Sequence, residues 1–148
     1  MAFEVPVDEP ERRVIEVCQA AVERLAAALP DAEIGCLLRS ADTFRHVAHA
    51  GTLRVIYVVR HEQGGVVWRA ADRGETQIVE DVRSDPDYLA SDELVRSEIA
   101  APIRARGEVL LVLDVEFPGR VFTPEEVRAV EEEAERLGEE VEAAGYPG

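Results

Sequence analysis

Apolar residues recur at helical spacing over residues 9–29, where Val14, Cys18, Ala21, Val22, Leu25 and Leu29 fall on one face. Pro30 and Asp31 stop the pattern, so a first helix is predicted there. The period then shortens. Residues 33–39 (EIGCLLR) and 43–50 (TFRHVAHA) read as short strands joined by a polar turn, and 53–60 (LRVIYVVR) as a third strand or an irregular segment. Gly64 and Gly65 break the chain ahead of VVWRAADRG, a short amphipathic helix with Gly74 as its C-terminal cap. TQIVEDV follows as a strand, 84–87 (SDPD) as turn chemistry, and 88–95 as a loop with a helical turn. Residues 97–104 and 108–116 form a hairpin across 105–107, and its second arm holds the most apolar strand, VLLVLDV.

Thr123-Pro124-Glu125-Glu126 opens a last helix over 123–144: threonine at the cap, proline at the first helical position and glutamate three residues past the cap share one register. Val127, Val130, Ala134, Leu137 and Val141 form a narrow apolar seam among acids. The seam suits packing on a sheet, and it suits a helical dimer contact. Helix, strands, short helix, strands, helix is the order of an α+β domain. It predicts a central antiparallel sheet with both terminal helices on one face. One domain over 1–148 is expected, with the sheet and any pocket within 32–116.

Charge narrows the partners. With 31 acidic and 16 basic residues, the net charge of -15 opposes nucleic acid and anionic lipid surfaces. The sequence contains no apolar run near the roughly 20 residues of a membrane span. The opening MAFEVPVDEPERR has acids where a secretory signal needs positive charge, so a cytoplasmic location is expected. Cys18 and Cys36 have no zinc-type spacing with His46, His49 or His61 and read as small core hydrophobes. No cofactor or metal is expected.

The polar stretch at 88–103, YLASDELVRSEIAAPI, stands at the mouth of a core strand. It makes a reaction site, a ligand pocket without chemistry, or a solvated turn. Glu98 and Asp114 stand between strand-type apolar residues, where an unpaired charge is costly. Glu116, two residues past Asp114, falls on the same face. Three carboxylates there would favour a ligand with an amine or several hydroxyl donors. Their crowding should raise at least one pKa and make binding pH-dependent in the acid range. Trp68 and Tyr88 either fill core space or line that pocket.

The runs GVVWRAADRGETQIVEDVRSDPDYL, RSEIAAPIRARGEVLLVLDV and FTPEEV resemble a GAF domain over about residues 9–144. That resemblance implies a small-molecule sensing module with its pocket between the sheet and loops on the face opposite the helices. The free methionine-R-sulfoxide reductases, enzymes of this fold, look closest. On their pattern Glu98 takes the place of a pocket glutamate, and Asp114 and Glu116 those of two aspartates. Ser91 stands where the catalytic loop cysteine belongs and Val67 where the second cysteine does. Leu111 replaces a frequent glycine, and the signatures of the bilin-binding and cyclic-nucleotide-binding branches are absent. A serine hydroxyl is too little ionised, and its oxygen too poor a nucleophile toward sulfur, to replace a thiolate.

The leading expectation is therefore a non-catalytic sensory module without catalytic residues. Its ligand-binding set comprises Trp68, Tyr88, Glu98, Asp114 and Glu116, together with Asp81, Ser91, Asp92, Arg96 and Ser97 from the loop and strand mouth. The partner is a small molecule of unknown identity. Ligand-biased terminal helices would carry the signal, in a homodimer joined through residues 9–29 and 123–144. A diverged sulfoxide reductase and a dimerisation module with a closed pocket are the alternatives.

Overall fold

The computed structural model describes residues 9–146. Helix α1 (Glu9–Ala28) leads into β1 (Glu33–Ser40), β2 (Thr43–Ala50) and the short β3 (Val58–Arg60). Helix α2 (Val66–Arg73) and β4 (Gln77–Val79) follow. The long hairpin β5 (Val95–Ala105) and β6 (Glu108–Pro118) precedes α3 (Pro124–Ala143). The strands form one antiparallel sheet in the order β3-β2-β1-β6-β5-β4. The α+β architecture is the expected one.

Alternation along the central strands divides the core between two faces. Ile34, Cys36, Leu38, Ile99, Ala101, Leu111, Leu113 and Val115 face α1 and α3 and meet Val14, Cys18, Val22, Leu137 and Val141. The two cysteines are free and buried in this layer. Gly138 lets α3 lie directly on β5, since a Cβ there would be 2.7 Å from the Arg104 carbonyl oxygen. The opposite face carries Leu37, Ala100 and Val112 beneath α2 and the loops.

Local chemistry fixes the boundaries. The Thr123 hydroxyl accepts from the Glu126 amide while the Glu126 carboxylate accepts from the Thr123 amide, forming the capping box. Gly74 closes α2 at φ 65°, a left-handed conformation suited to glycine. Strands β5 and β6 run two residues further at their outer ends than the apolar pattern marks. The segment 53–60 is strand only at Val58–Arg60. Its first part leaves the ladder because other groups bind its backbone: the Glu33 carboxylate accepts from the Thr52 and Leu53 amides at 3.1 and 2.6 Å, and the His46 ring meets the Ile56 carbonyl at 2.7 Å.

Candidate functional site: a carboxylate-floored cavity

Strand pairing assembles the site on the face opposite the terminal helices. Glu98 on β5 pairs across to Glu116 on β6, and Glu116 to Glu33 on β1. Asp114 lies one step further along β6, between Ala100 and Gly35. These side chains alternate with core residues such as Ile99 and Val115, so all point away from α1 and α3. Above Glu98, Asp114 and Glu116 lies a cavity of about 50 Å³, walled by Leu37, His46, Val55, Ile56, Val67, Leu89 and Ser91. That is space for one or two waters. Its floor is acidic and its walls are mostly apolar.

The loop after β4 closes one side. The Tyr88 hydroxyl donates to Glu116 Oε2 at 3.3 Å, and the Ser91 hydroxyl to Glu116 Oε1 at 3.4 Å. Arg69 of α2 holds the same loop through Asp85 and Asp87, at 2.7 to 3.0 Å. The segment before β3 makes the roof, latched by Glu33 and His46. His46 donates through Nδ1 to the Ile56 carbonyl, which leaves Nε2 over Gly35. A Cβ on Gly35 would lie 2.7 Å from that nitrogen, so only glycine leaves the ring this close to Asp114's strand partner.

Burial sets the electrostatics. Glu98 is 4% exposed and Asp114 9%, and Glu98 Oε1 and Asp114 Oδ1 have no hydrogen-bond partner among the described residues. Desolvation pushes the Glu98 carboxyl well above its usual range, and the neighbouring Asp114 charge adds to the effect. Asp114 also rises through burial, but its hydrogen bond with Glu98 and the nearby His46 oppose the rise. Glu98 is therefore the protonated partner of the pair and Asp114 the acceptor. Glu116 is pushed up to about 8, first by burial and then by Asp114, against the hydrogen bonds from Tyr88 and Ser91. The titration thus reaches neutral pH and above rather than staying in the acid range. Burial raises the Tyr88 hydroxyl and lowers His46.

Glu98, Asp114, Glu116 and Ser91 line the cavity as the sequence suggests, and Tyr88 reaches the site through its bond to Glu116 without lining the cavity. The other predicted residues do not line the cavity. Trp68, 1% exposed, fills the core beneath α2, where its Nε1–H donates to the Val59 carbonyl at 3.0 Å and its ring meets Phe44 edge-on at 4.5 Å. Ser97 points to the helix face and donates to the Arg120 carbonyl at 2.8 Å, because neighbours along a strand cannot share a face. Asp81 caps a helical turn and pairs with Arg83, with Arg96 3.9 Å away. Asp92 accepts from the Leu94 and Arg54 amides.

His46 and Leu89 on the cavity wall, and Glu33, which holds the roof, are positions the sequence reading does not place at the site. A bulge opposite Cys36 and Leu37 shifts β2, so that Ala48 faces the helices while His46 faces the cavity. No pattern in TFRHVAHA announces it. Val67 and Ser91, the two positions that the resemblance sets against the reductases' cysteines, both lie on the cavity wall. Cys18 and Cys36 lie across the sheet, within the helix-side core.

The sheet order, the paired terminal helices and this enclosed site define a GAF-type fold. Residues 11–141 match the model of the GAF domain, and the chain belongs to that family. Protein ZMO0507 of Zymomonas mobilis is 39% identical over 77 residues, 50% of this chain and 47% of that protein. The matched share of the curated relatives is 33% to 47% of their length, so the chain spans half of them or less. A type II free methionine-R-sulfoxide reductase from Thermoplasma acidophilum superposes with a TM-score of 0.80 at 22% identity, over 92% of this chain and 96% of that one. The GAF domain of a phosphoenolpyruvate-protein phosphotransferase from Coxiella burnetii gives 0.77 at 22%, over 92% and 86%. The fold is thus shared by reductases and by a GAF domain from a phosphotransferase. Among the described residues no helix is long and apolar enough to cross a membrane, and no group of three or more His, Cys, Asp and Glu is arranged to hold a metal ion.

Proposed function

We propose that this GAF domain is a non-catalytic receptor for a small ligand bearing a protonated amine, held by Glu98, Asp114 and Glu116. One observation carries the reading: two buried carboxylate oxygens, Glu98 Oε1 and Asp114 Oδ1, have no hydrogen-bond partner among the described residues, and both residues line the cavity. An isolated buried charge is costly, so the empty site keeps protons on its carboxyls. A ligand ammonium would supply both the missing donors and the compensating charge.

The absence of a thiol from the cavity wall supports binding without sulfoxide reduction. Thiol chemistry needs a thiolate to attack sulfur and a second thiol to resolve the intermediate. Ser91 and Val67 occupy the wall, and the two cysteines are sealed on the other face.

About 50 Å³ is too little for a ligand of amino-acid size, so entry requires the roof or the Tyr88–Ser91 loop to open. Binding then selects the open arrangement and shifts its population, which is the signal. Because Gly35 and Glu33 lie on β1, whose other face packs on α1, the shift has a direct route to the terminal helices. Pairing of two copies through those helices belongs to the same proposal. Their main apolar residues are used inside the chain, so the contact would rest on partly buried positions such as Val17, Ala26, Val127 and Ala129, and we expect it to be weak.

A thermal-shift screen of amine-bearing metabolites against their des-amino counterparts tests the reading. Stabilisation by the amines alone supports it. Stabilisation by neither favours a module whose pocket has closed, a reading that the small cavity also favours.

A further inference from the structure

A second concave surface lies outside the carboxylate site, around the C-terminal end of α2. The β1–β2 turn, the end of α2, the end of β5 and the start of β6 frame an open groove of about 580 Å³. Its cations are Arg39, Arg73 and Arg104; its acids are Asp72 and Glu108; Ala71, Val109 and Leu110 give it an apolar floor.

The sequence has no lysine, and all 16 of its basic residues are arginines set against 31 acids. Such an excess should leave few arginines without a carboxylate. Arg24, Arg69 and Arg120 indeed lie within 2.6 to 2.7 Å of one, and Arg83 and Arg128 within 3.0 to 3.4 Å. Six of the sixteen, Arg39, Arg54, Arg73, Arg104, Arg106 and Arg136, nonetheless have no carboxylate oxygen within 4.0 Å among the described residues. Three of these six, Arg39, Arg73 and Arg104, share one groove, where Arg73 acts on Asp85 only at longer range. The Arg39 Nε–H donates to the Ala41 carbonyl at 2.9 Å, and its guanidinium lies 5.1 Å from the centroid of the Trp68 ring. Arg104 reaches the Gly74 carbonyl at 3.4 Å, occupying space that a Cβ on residue 74 would fill. Asp72 is engaged by His61 at 2.8 Å.

Some of this charge complements the negative end of the α2 dipole. One cation is enough for an eight-residue helix, and two guanidinium groups are left over. Each guanidinium carries five donors in a planar fork that matches an oxyanion, and the bonds made here leave most of them free.

We propose that this groove binds a small, multiply charged oxyanion, with Arg39, Arg73 and Arg104 as its ligands. The site is independent of the carboxylate cavity: it takes the opposite charge and opens at another place on α2.

Trp68 is the single tryptophan of the sequence and lies beneath Arg39, so its fluorescence reports the site. The full chain is titrated at pH 7 with inorganic pyrophosphate and separately with citrate, at an ionic strength held constant with sodium chloride. A saturable change is expected. Arg73→Gln and Arg104→Gln, both at exposed positions, should each weaken binding about tenfold, the effect of losing a charge-assisted bond. Arg136→Gln, outside the groove, should leave it unchanged. A response to pyrophosphate alone assigns a phosphate-type ligand, to citrate alone a carboxylate, and to both a general polyanion site. A change that sodium chloride reproduces, no change with either anion, or equal weakening by Arg136→Gln overturns the proposal. Glu98→Gln, tested in parallel, should not affect this titration, so failure here is distinct from failure of the amine site.

Discussion

Replacing Glu116 with glutamine should reduce the protein's loss of stability toward alkaline pH. In the folded chain Glu116 ionises near 8 rather than at its ordinary 4.5, because burial and Asp114 disfavour its charge. The unfolded chain releases that proton near 4.5 and the folded chain holds it until about 8. With the folded value raised, the contribution is fully present below 4.5 and is lost as pH rises through 8. At about 1.4 kcal/mol for each tenfold change in ionisation, the ceiling is about 5 kcal/mol. Solvent relaxation around a carboxylate that is only partly buried brings this to about 2–3 kcal/mol. Glu98 and Asp114 act in the same direction. The lowered carboxyls of Asp31, Asp85 and Glu126, held down by Arg120 and Arg69, act oppositely and only at acid pH. Thermal melts at pH 5.5, 7 and 8.5 should fall for the parent by about 5–10 °C across the series. Glu116→Gln keeps groups that can bond Tyr88 and Ser91 but has no charge to desolvate, so its melts should fall less than the parent's, the remainder coming from Glu98 and Asp114. A parent that gains stability from pH 5.5 to 8.5, or a variant with the parent's slope, would refute the reasoning.

Other substitutions probe the roof, the chemistry and the assembly. Glu33→Ala removes the acceptor of two amides and should cost about 1–3 kcal/mol, with faster hydrogen exchange at Thr52 and Leu53; unchanged exchange there would contradict the latch. The parent should not reduce free methionine-R-sulfoxide with a thiol reductant, whereas Ser91→Cys combined with Val67→Cys, as a pair on the wall, should give a trace of turnover; robust turnover by the parent would sink the non-catalytic reading. Sedimentation should show association only at high concentration, and a tight dimer would mean that a larger apolar surface than the outer helix faces is buried.

The parts of the fold that periodicity governs were legible in the chain. The Thr123–Glu126 capping box, the Gly74 cap and the β5–β6 hairpin are local chemistry with one solution each. Strand alternation likewise put Asp114 and Glu116 on one face, and the same rule separates Ser97 from Glu98. What stayed hidden depends on contacts remote in sequence. The β2 bulge turns His46 toward the cavity, the Glu33 carboxylate draws residues 52 and 53 off the ladder, and Trp68 finds its acceptor nine residues back at Val59. The sequence leaves Trp68 either in the core or on the pocket wall, and a ring that size on an eight-residue helix is what fills the second core.

Calorimetric titration of the intact chain with free methionine, free methionine-R-sulfoxide and their des-amino analogues, at pH 6, 7 and 8, tests the amine site most directly. An ammonium needs ionised partners, and Glu116 ionises near 8, so affinity should rise over this range. Glu98→Gln and Asp114→Asn should each weaken binding by about tenfold or more, while Glu93→Gln on the exposed loop should not. Binding of an amine-bearing ligand with this pH dependence, and none of its des-amino analogue, is the result the account predicts. Equal binding of both analogues, or carboxylate variants that bind as the parent does, would contradict it.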